Sequence, residues 1–164
     1  MIKKIKPKKG QESVWDYPRP PRLEPCSKEL IVECDGIQLL ATNAAFRVLE
    51  TSHPPVYYIP QSDIKMEFLR ERTAQGSFCE FKGVATYWDI VTPKQERLKA
   101  AWSYASPTAS FSSIKDHLAF YASKVDACYV DGEQVQAQEG DFYGGWITLD
   151  IVGPFKGGVG TWGW

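Results

Sequence analysis

The chain lacks the features that mark several classes of protein. No apolar run approaches the roughly 20 residues that a membrane-spanning helix needs. The net charge of −1 is far from the basic excess of a general nucleic-acid binder. None of the four cysteines lies in a Cys-x-x-Cys pair, the close spacing that tetrahedral zinc sites use. We therefore expect no membrane, nucleic-acid or metal partner.

The sequence also lacks a nucleotide-binding motif. The glycine-rich segment 153–161 has neither the Gly-Lys-Ser/Thr ending of a P-loop nor a helix to follow it. It fails the dinucleotide-binding pattern as well, because no strand of a βαβ unit precedes it. We interpret this segment as a tail and expect no cofactor.

The N-terminus lacks the apolar stretch and cleavage site of a signal peptide, so the expected location is the cytoplasm, where the four thiols would stay reduced. Five of the first nine residues are lysine, and a segment of like charge cannot offset the entropy cost of its own ordering. Residues 1–12 are therefore predicted to be a disordered basic tail. Residues 13–164 are predicted to be a single domain, with a proline-rich arm at its start and a Gly- and Trp-rich tail at its end.

Aromatic residues are abundant: six Trp, eight Tyr and eight Phe accompany eleven Pro and thirteen Gly. Aromatic side chains favour strands, and Pro and Gly interrupt them, so the composition favours a mostly β fold. Asp35-Gly36 and Asp131-Gly132 predict two tight hairpins, because Asp-Gly supplies the positive φ angles of a type I′ turn. Residues 43–50 fit either a two-turn helix or a strand. The other predicted elements are strands at 56–59, 77–91, 97–104 and 120–130, a short amphipathic helix at 62–70 and at most two helical turns at 112–118.

The densest group of reactive side chains lies in residues 49–60, Leu-Glu-Thr-Ser-His-Pro-Pro-Val-Tyr-Tyr-Ile-Pro. Glu50 stands three residues before His53, and histidine is the side chain that titrates nearest to neutral pH. Glu50 can orient this imidazole or share a proton with it; the alternative is a histidine that only fixes the Pro-Pro loop. Tyr57 and Tyr58 point to opposite sides of a strand, so only one of them can enter a given pocket.

Two further strands carry candidate binding residues. Glu80 and Lys82 alternate with apolar neighbours and so share a face, either as a solvated pair or as polar groups of a groove. Trp102 and Tyr104 share a face two residues apart. They are either core or a stacking wall for a flat ligand.

The ordered motifs of the chain together resemble the domain of unknown function 427 family. The resemblance runs from about Ser13 to Trp164 and rests on segments 13–21, 48–60, 79–83, 101–104, 126–132 and the Gly/Trp tail. That family is functionally uncharacterised and is similar to the β-tent group, which includes methionine sulfoxide reductase B and the ligand-binding domain of cereblon. Many members of that group bind zinc through two Cys-x-x-Cys turns, which this chain does not have. A nucleotidyltransferase label attached to the family would require paired aspartates for Mg²⁺, and no such motif is present.

The resemblance implies two antiparallel sheets in a β-tent or sandwich-like arrangement with one or two short helices. The leading hypothesis is a small-molecule site in which His53 acts as an acid or base and Glu50 orients it. Whether the chain is an enzyme stays open. The ligand-binding side chains of this hypothesis are Arg47, Tyr58, Lys82, Trp102 and Tyr104.

Two other functions compete with this hypothesis. In the first, the chain is a non-catalytic interaction or assembly module, and its terminal segments dock on a neighbouring subunit to form a homo-oligomer. In the second, Cys79 and Cys128 carry out thiol redox chemistry, which would require a cation near a reactive thiolate. The sequence leaves the substrate, the reaction and the oligomeric state open.

Overall fold

A computed structural model of the chain describes residues 2–73, 77–140 and 142–164. Over these ranges the chain is mostly β, with short 3₁₀ helices between the strands. The strands are β1 (Glu12–Ser13), β2 (Arg22–Cys26), β3 (Leu30–Cys34), β4 (Ile37–Thr42), β5 (Ala45–Leu49), β6 (Val56–Tyr58), β7 (Leu69–Glu71), β8 (Phe78–Cys79), β9 (Gly83–Val91), β10 (Glu96–Tyr104), β11 (Ala119–Phe120), β12 (Ala127–Val130), β13 (Glu133–Gln134), β14 (Gln136–Ala137), β15 (Trp146–Ile147) and β16 (Ile151–Val152). The 3₁₀ helices are Val14–Asp16, Gln61–Asp63, Met66–Phe68, Ala109–Ile114 and Ala122–Lys124.

Three antiparallel sheets build most of the described fold. The largest has the order β11-β10-β9-β7, with β8 also paired to β9; the second has the order β13-β12-β3-β4, and the third β2-β5-β6. Two smaller pairings join β14 to β15 and, in parallel, β1 to β16. The predicted mostly β fold of antiparallel sheets is confirmed, with the strands divided among more sheets than two.

Both Asp-Gly hairpins are confirmed. The φ angles are 53° at Asp35 and 78° at Gly36, and 46° at Asp131 and 82° at Gly132. Positive φ at both central residues is the type I′ geometry, whose twist matches that of the flanking strands. The two hairpins lie side by side, because β12 pairs with β3 in the same sheet.

The segment that fitted either helix or strand is strand β5, the central strand of the third sheet. The helix predicted over 62–70 is wrong: two 3₁₀ turns stand there, and Leu69–Glu71 forms β7. Pairing of β7 with β9 supplies the backbone hydrogen bonds that a helix would have made. Tertiary pairing therefore overrides the amphipathic pattern at this place.

Two predicted long strands are interrupted. The strand over 77–91 breaks at a turn after Cys79 and resumes at Gly83, where φ is 110°. This turn removes Glu80 and Lys82 from the alternation on which their shared face was predicted. The strand over 120–130 is split by the 3₁₀ helix Ala122–Lys124.

The two ends of the described chain lie together. The indole Nε1 of Trp15 donates to the carbonyl of Pro154 at 2.9 Å, and the rings of Trp15 and Trp164 meet edge to face at 5.4 Å. The amide of Ile5 donates to the carbonyl of Gly153 at 3.1 Å. Disorder of the basic tail stays a prediction. Nowhere in residues 2–73, 77–140 and 142–164 is there a helix with the length and apolar character to cross a membrane.

Candidate functional site

A cavity of about 270 Å³ is lined by side chains of two sheets. Strands β5 and β6 contribute Val48, Val56 and Tyr58, and strands β9 and β10 contribute Ala85 and Tyr104 among others. Loops carrying the turn after β8 and the segments before β15 and after β16 complete the lining. A concave, mostly apolar surface with few polar groups is the usual form of a small-molecule site.

The structure brings six of the seven candidate residues to this cavity. Those that line it are Glu50, His53, Tyr58, Lys82, Trp102 and Tyr104. They come from three separate segments of the chain: the loop and strand 50–58, the turn before β9, and strand β10.

Arg47 is the candidate residue that the structure does not bring to the cavity. Its neighbour Val48 lines the cavity, and successive side chains of a strand point to opposite faces. Arg47 therefore lies on the other face of β5, where its guanidinium contacts Glu24 at 2.6 Å and Glu12 at 2.8 Å. These two ion pairs hold the pKa of Arg47 above its usual range despite burial, which acts the other way.

Aromatic rings form one wall of the cavity. Trp102 lies 4.5 Å from Tyr121 between ring centroids, and its Nε1 donates to the hydroxyl of Tyr58 at 3.3 Å. Tyr58 is fully buried, and this burial raises the pKa of its phenol well above the ordinary value. Its neighbour Tyr57 packs on Trp146 in a separate cluster of the core. The strand alternation thus sends one tyrosine to the cavity and the other away from it.

Two glycines allow the loop before β15 to close against this wall. A Cβ atom on Gly144 would lie 2.2 Å from the ring of Trp102, and one on Gly145 would lie 2.7 Å from the carbonyl of Pro54. Any side chain at these positions would push the loop outward. The Gly-Gly pair of the sequence is therefore a condition for the shape of the cavity.

A tight turn positions His53. The amide of His53 donates to the carbonyl of Glu50 at 3.0 Å, and Ser52 has a φ of 73°, at a turn position where glycine is usual. The terminal segments hold this turn, because Ser52 accepts from the amide of Lys156 and donates to the carbonyl of Val14. Strained backbone of this kind concentrates at functional sites.

The side-chain amide of Gln138 fixes the tautomer of His53. Its oxygen accepts from the amide of Gly145 at 3.0 Å, so its nitrogen faces the other way and donates to the carbonyl of Lys156 at 2.7 Å and to Nδ1 of His53 at 3.2 Å. Nδ1 is therefore the acceptor, and the imidazole proton is assigned to Nε2. Nε2 lies 3.7 Å from a carboxylate oxygen of Glu50 and hydrogen-bonds to none of the described residues.

Burial and charge keep His53 neutral. Desolvation lowers the pKa of this imidazole to about 4, and the positive charges of Lys156, Arg19 and Lys82 act in the same direction. The side chain therefore presents a neutral N–H group at neutral pH. It can donate a hydrogen bond to a ligand, but it does not carry a charge into the site.

The positively charged side chains near the cavity differ in the groups that they contact. Arg19 lies 3.5 Å from Glu50, and the ammonium group of Lys156 donates to the main-chain oxygen of Trp164 at 3.0 Å. The ammonium group of Lys82 lies 5.9 Å from the centre of the Phe111 ring. Among the described residues, no carboxylate lies within 4 Å of Lys82.

All four cysteines are free. Cys128 is buried in the main core, and burial raises the pKa of its thiol far above the ordinary value. Cys79 instead lines the cavity. The two thiols thus belong to different parts of the molecule. No cluster of three potential metal-ligating side chains occurs among the residues that the structure describes, and the expectation of no metal stays a prediction.

Sequence reasoning missed several residues of the site. Gln138 is 85 positions from His53, so no local pattern connects them. Tyr121, Tyr143 and Lys156 also line the cavity. The signal in the sequence for the segment from residue 140 onward is its density of glycine and aromatic residues. This density indicates an irregular loop held by aromatic contacts but does not indicate which residues the loop contacts.

The fold and the cavity define a mostly β domain with an aromatic-walled site. The model of the family described as Domain of unknown function (DUF427) matches residues 22–131, about two thirds of the chain. The chain belongs to this family, which confirms the resemblance in the sequence. No curated protein matches the chain. Gln138, Gly144 and Lys156 lie beyond the matched segment, so the family match covers one side of the cavity and not the other.

Proposed function

We propose that this protein binds a small molecule in the cavity. The observation that supports the proposal is the convergence of six side chains from three separate segments of the chain on one concave surface. The volume of about 270 Å³ corresponds to about nine water molecules at roughly 30 Å³ each. A ligand of about ten non-hydrogen atoms fits this space.

Filling the cavity tests this proposal. Ala85 lines it and is 4% exposed, so Ala85→Leu should occupy the volume that a ligand needs. We expect small aromatic fragments to shift the NMR signals of cavity residues in the wild type and not in Ala85→Leu. The matched control is Ala105→Leu at an exposed position, which should bind like the wild type.

A second filling variant guards against loss of folding. Val56 lines the cavity but is only half-buried, so Val56→Phe is the milder change. Thermal unfolding of each variant establishes that it is folded. Fragments that bind both filled variants as strongly as the wild type would contradict the proposal.

Catalysis by the His53–Glu50 pair is a further step of the same proposal. Because Nδ1 of His53 is occupied by Gln138 and Nε2 carries the proton, His53 would serve as the hydrogen-bond donor and Glu50 as the proton acceptor. This reverses the simpler assignment in which Glu50 only orients the histidine. Mass spectrometry of a cavity ligand after incubation with the wild type and with Glu50→Gln tests this step. We expect the wild type to convert the ligand and Glu50→Gln not to. A ligand that neither protein converts would mean that the cavity binds it without catalysis.

Assembly through the terminal segments is the second candidate function. Leu149, Val159 and Trp162 expose most of their side chains, and such apolar surface favours contact with another subunit. Removing the segments altogether would be a poor test, because Lys156 belongs to the cavity. The sharper test is light scattering on Trp162→Ser: the assembly function predicts an oligomer that this change dissociates, and a wild type of single-chain mass contradicts it. The cytoplasmic location expected from the sequence stays a prediction.

A further inference from the structure

The polar groups of the cavity fit one kind of ligand. Nε2–H of His53 and the carboxylate of Glu50 stand 3.7 Å apart. A single hydroxyl oxygen can lie within hydrogen-bonding distance of both, accepting from the imidazole and donating to the carboxylate. A carboxylate ligand would be repelled by Glu50 at this position, and a purely apolar group would leave Nε2–H of His53 without an acceptor.

The second polar anchor is Lys82. It lines the same cavity, and no described carboxylate lies within 4 Å of it. Its positive charge, like those of Lys156 and Arg19, lowers the pKa of His53, and Arg19 is the one of these three cations that lies against Glu50. Glu80 lines the same cavity but makes no ion pair with Lys82 within 4 Å, so an anionic group on the ligand would be favoured beside the Lys82 ammonium group.

The space between the two anchors suits a flat apolar body. Trp102, Tyr104 and Tyr121 line the cavity, and an aromatic ring of a ligand can pack against such rings in an offset or edge-to-face arrangement. The volume admits about nine water equivalents, which matches one substituted benzene ring.

We propose that the ligand is a phenolic carboxylic acid whose hydroxyl lies between His53 and Glu50, whose ring lies on the Trp102 wall and whose carboxylate pairs with Lys82. This inference rests on the proposed binding function and names the chemical class for the same cavity. The phenol is protonated at neutral pH, since phenolic hydroxyls ionise near pH 10, so it can donate to Glu50.

Three probes separate the two anchors: 4-hydroxybenzoate, which carries both polar groups, benzoate, which lacks the hydroxyl, and phenol, which lacks the carboxylate. Isothermal titration calorimetry at fixed pH and salt gives their affinities. We expect 4-hydroxybenzoate to bind about tenfold more tightly than either of the others, the usual size of one charge-assisted hydrogen bond.

Variants assign each effect to a residue. Lys82→Met should weaken 4-hydroxybenzoate and benzoate about tenfold and leave phenol unchanged. Glu50→Gln should weaken 4-hydroxybenzoate and phenol and leave benzoate unchanged or bound more tightly. Lys94→Met, a change at an exposed lysine outside the cavity, is the matched control and should alter none of the affinities.

The outcomes distinguish this inference from the function on which it rests. Three probes of equal affinity, all blocked by Ala85→Leu, would overturn the phenolic acid and leave a small-molecule site. Probes that bind equally to wild type and Ala85→Leu would overturn the cavity as the site itself. No binding of 4-hydroxybenzoate, with binding of other fragments that Ala85→Leu blocks, would overturn the phenolic acid alone.

Discussion

Charged and polar side chains are paired differently on the two sides of strand β5. On one face, Arg47 makes ion pairs at 2.6 and 2.8 Å with Glu24 and Glu12, and the hydroxyl of Tyr17 donates to Glu12. On the cavity side, Lys82 has no carboxylate within 4 Å among the described residues, and Nε2–H of His53 has no described acceptor.

The difference distinguishes charged groups that stabilise the fold through ion pairs from charged groups that have no partner among the described residues. The Arg47 side chain is 14% exposed and its guanidinium is hydrogen-bonded to two carboxylates, so its ion pairs are part of the structure and their loss is costly. A polar group that lines a cavity without a partner among the described residues is available to a ligand. Residue type does not reveal which case holds, since Arg47 and Lys82 were equal candidates from the sequence.

The largest expected effect on stability comes from removing the ion pairs of Arg47 with Glu12 and Glu24. Arg47→Met leaves Glu12 and Glu24 without their common cation, and these side chains, 41% and 31% exposed, regain part of their hydration. Hydrogen bonds to charged groups contribute about 1.5–3 kcal/mol each, so the expected loss for the two pairs together is about 3 kcal/mol. We expect urea denaturation to show a free energy of unfolding lower by that amount. Arg22→Met is the control, because Arg22 is more than half exposed and lies 3.6 Å from Glu24; an exposed pair contributes less than about 1 kcal/mol. Equal losses in the two variants would contradict the distinction.

His53 should make the folded protein less stable as the pH is lowered. Its pKa is about 4 in the folded chain against 6.5 when exposed, so between these values the unfolded state binds a proton that the folded state does not. The free energy of unfolding therefore decreases as the pH falls from 6.5 to 4, by about 3 kcal/mol in total. This contribution is complete by pH 4 and does not grow below it.

The variant His53→Gln isolates this contribution from the carboxylates that also titrate in acid. We expect its unfolding free energy to fall less steeply than that of the wild type between pH 6.5 and 4. Urea denaturation at several pH values measures both slopes. Parallel curves would show that burial does not hold His53 neutral.

The sequence predicted those parts of the fold that local chemistry decides. Asp35-Gly36 and Asp131-Gly132 set their turns by backbone preference alone, and both hairpins are present. The helix over 62–70 was wrong because β7 pairs with β9, a contact between segments that are distant in the chain. Patterns within a segment carry no information about such a partner.

The same reasoning explains the site. Glu50 and His53 are close in sequence, and one turn holds them together. The face to which Arg47 points depends on the register of β5 between β2 and β6, which no pattern within β5 reveals. Gln138 was missed because its role appears only when a loop 85 positions away reaches His53.

A smaller effect is expected at the loop that closes the cavity. Gly144→Ala places a methyl group 2.2 Å from the ring of Trp102, and relief of such overpacking costs about 2 kcal/mol. Gly163→Ala is the control, because no heavy atom lies within 4 Å of the position of its Cβ. Thermal unfolding should show a lower Tm for Gly144→Ala only. Equal Tm values for both variants and the wild type would mean that the loop can move away from Trp102 without cost.

The smallest effect on stability is expected at Lys82, on the cavity side of β5. Lys82→Met removes a cation that no described carboxylate accompanies, so the free energy of unfolding should change by less than about 0.5 kcal/mol. The same type of substitution at Arg47 should cost at least about six times as much. Urea denaturation of the two variants, side by side, measures this ratio. If Lys82→Met lowered the free energy of unfolding as much as Arg47→Met, both cations would be stabilising the fold. Lys82 would then not be available as the anchor for an anionic ligand.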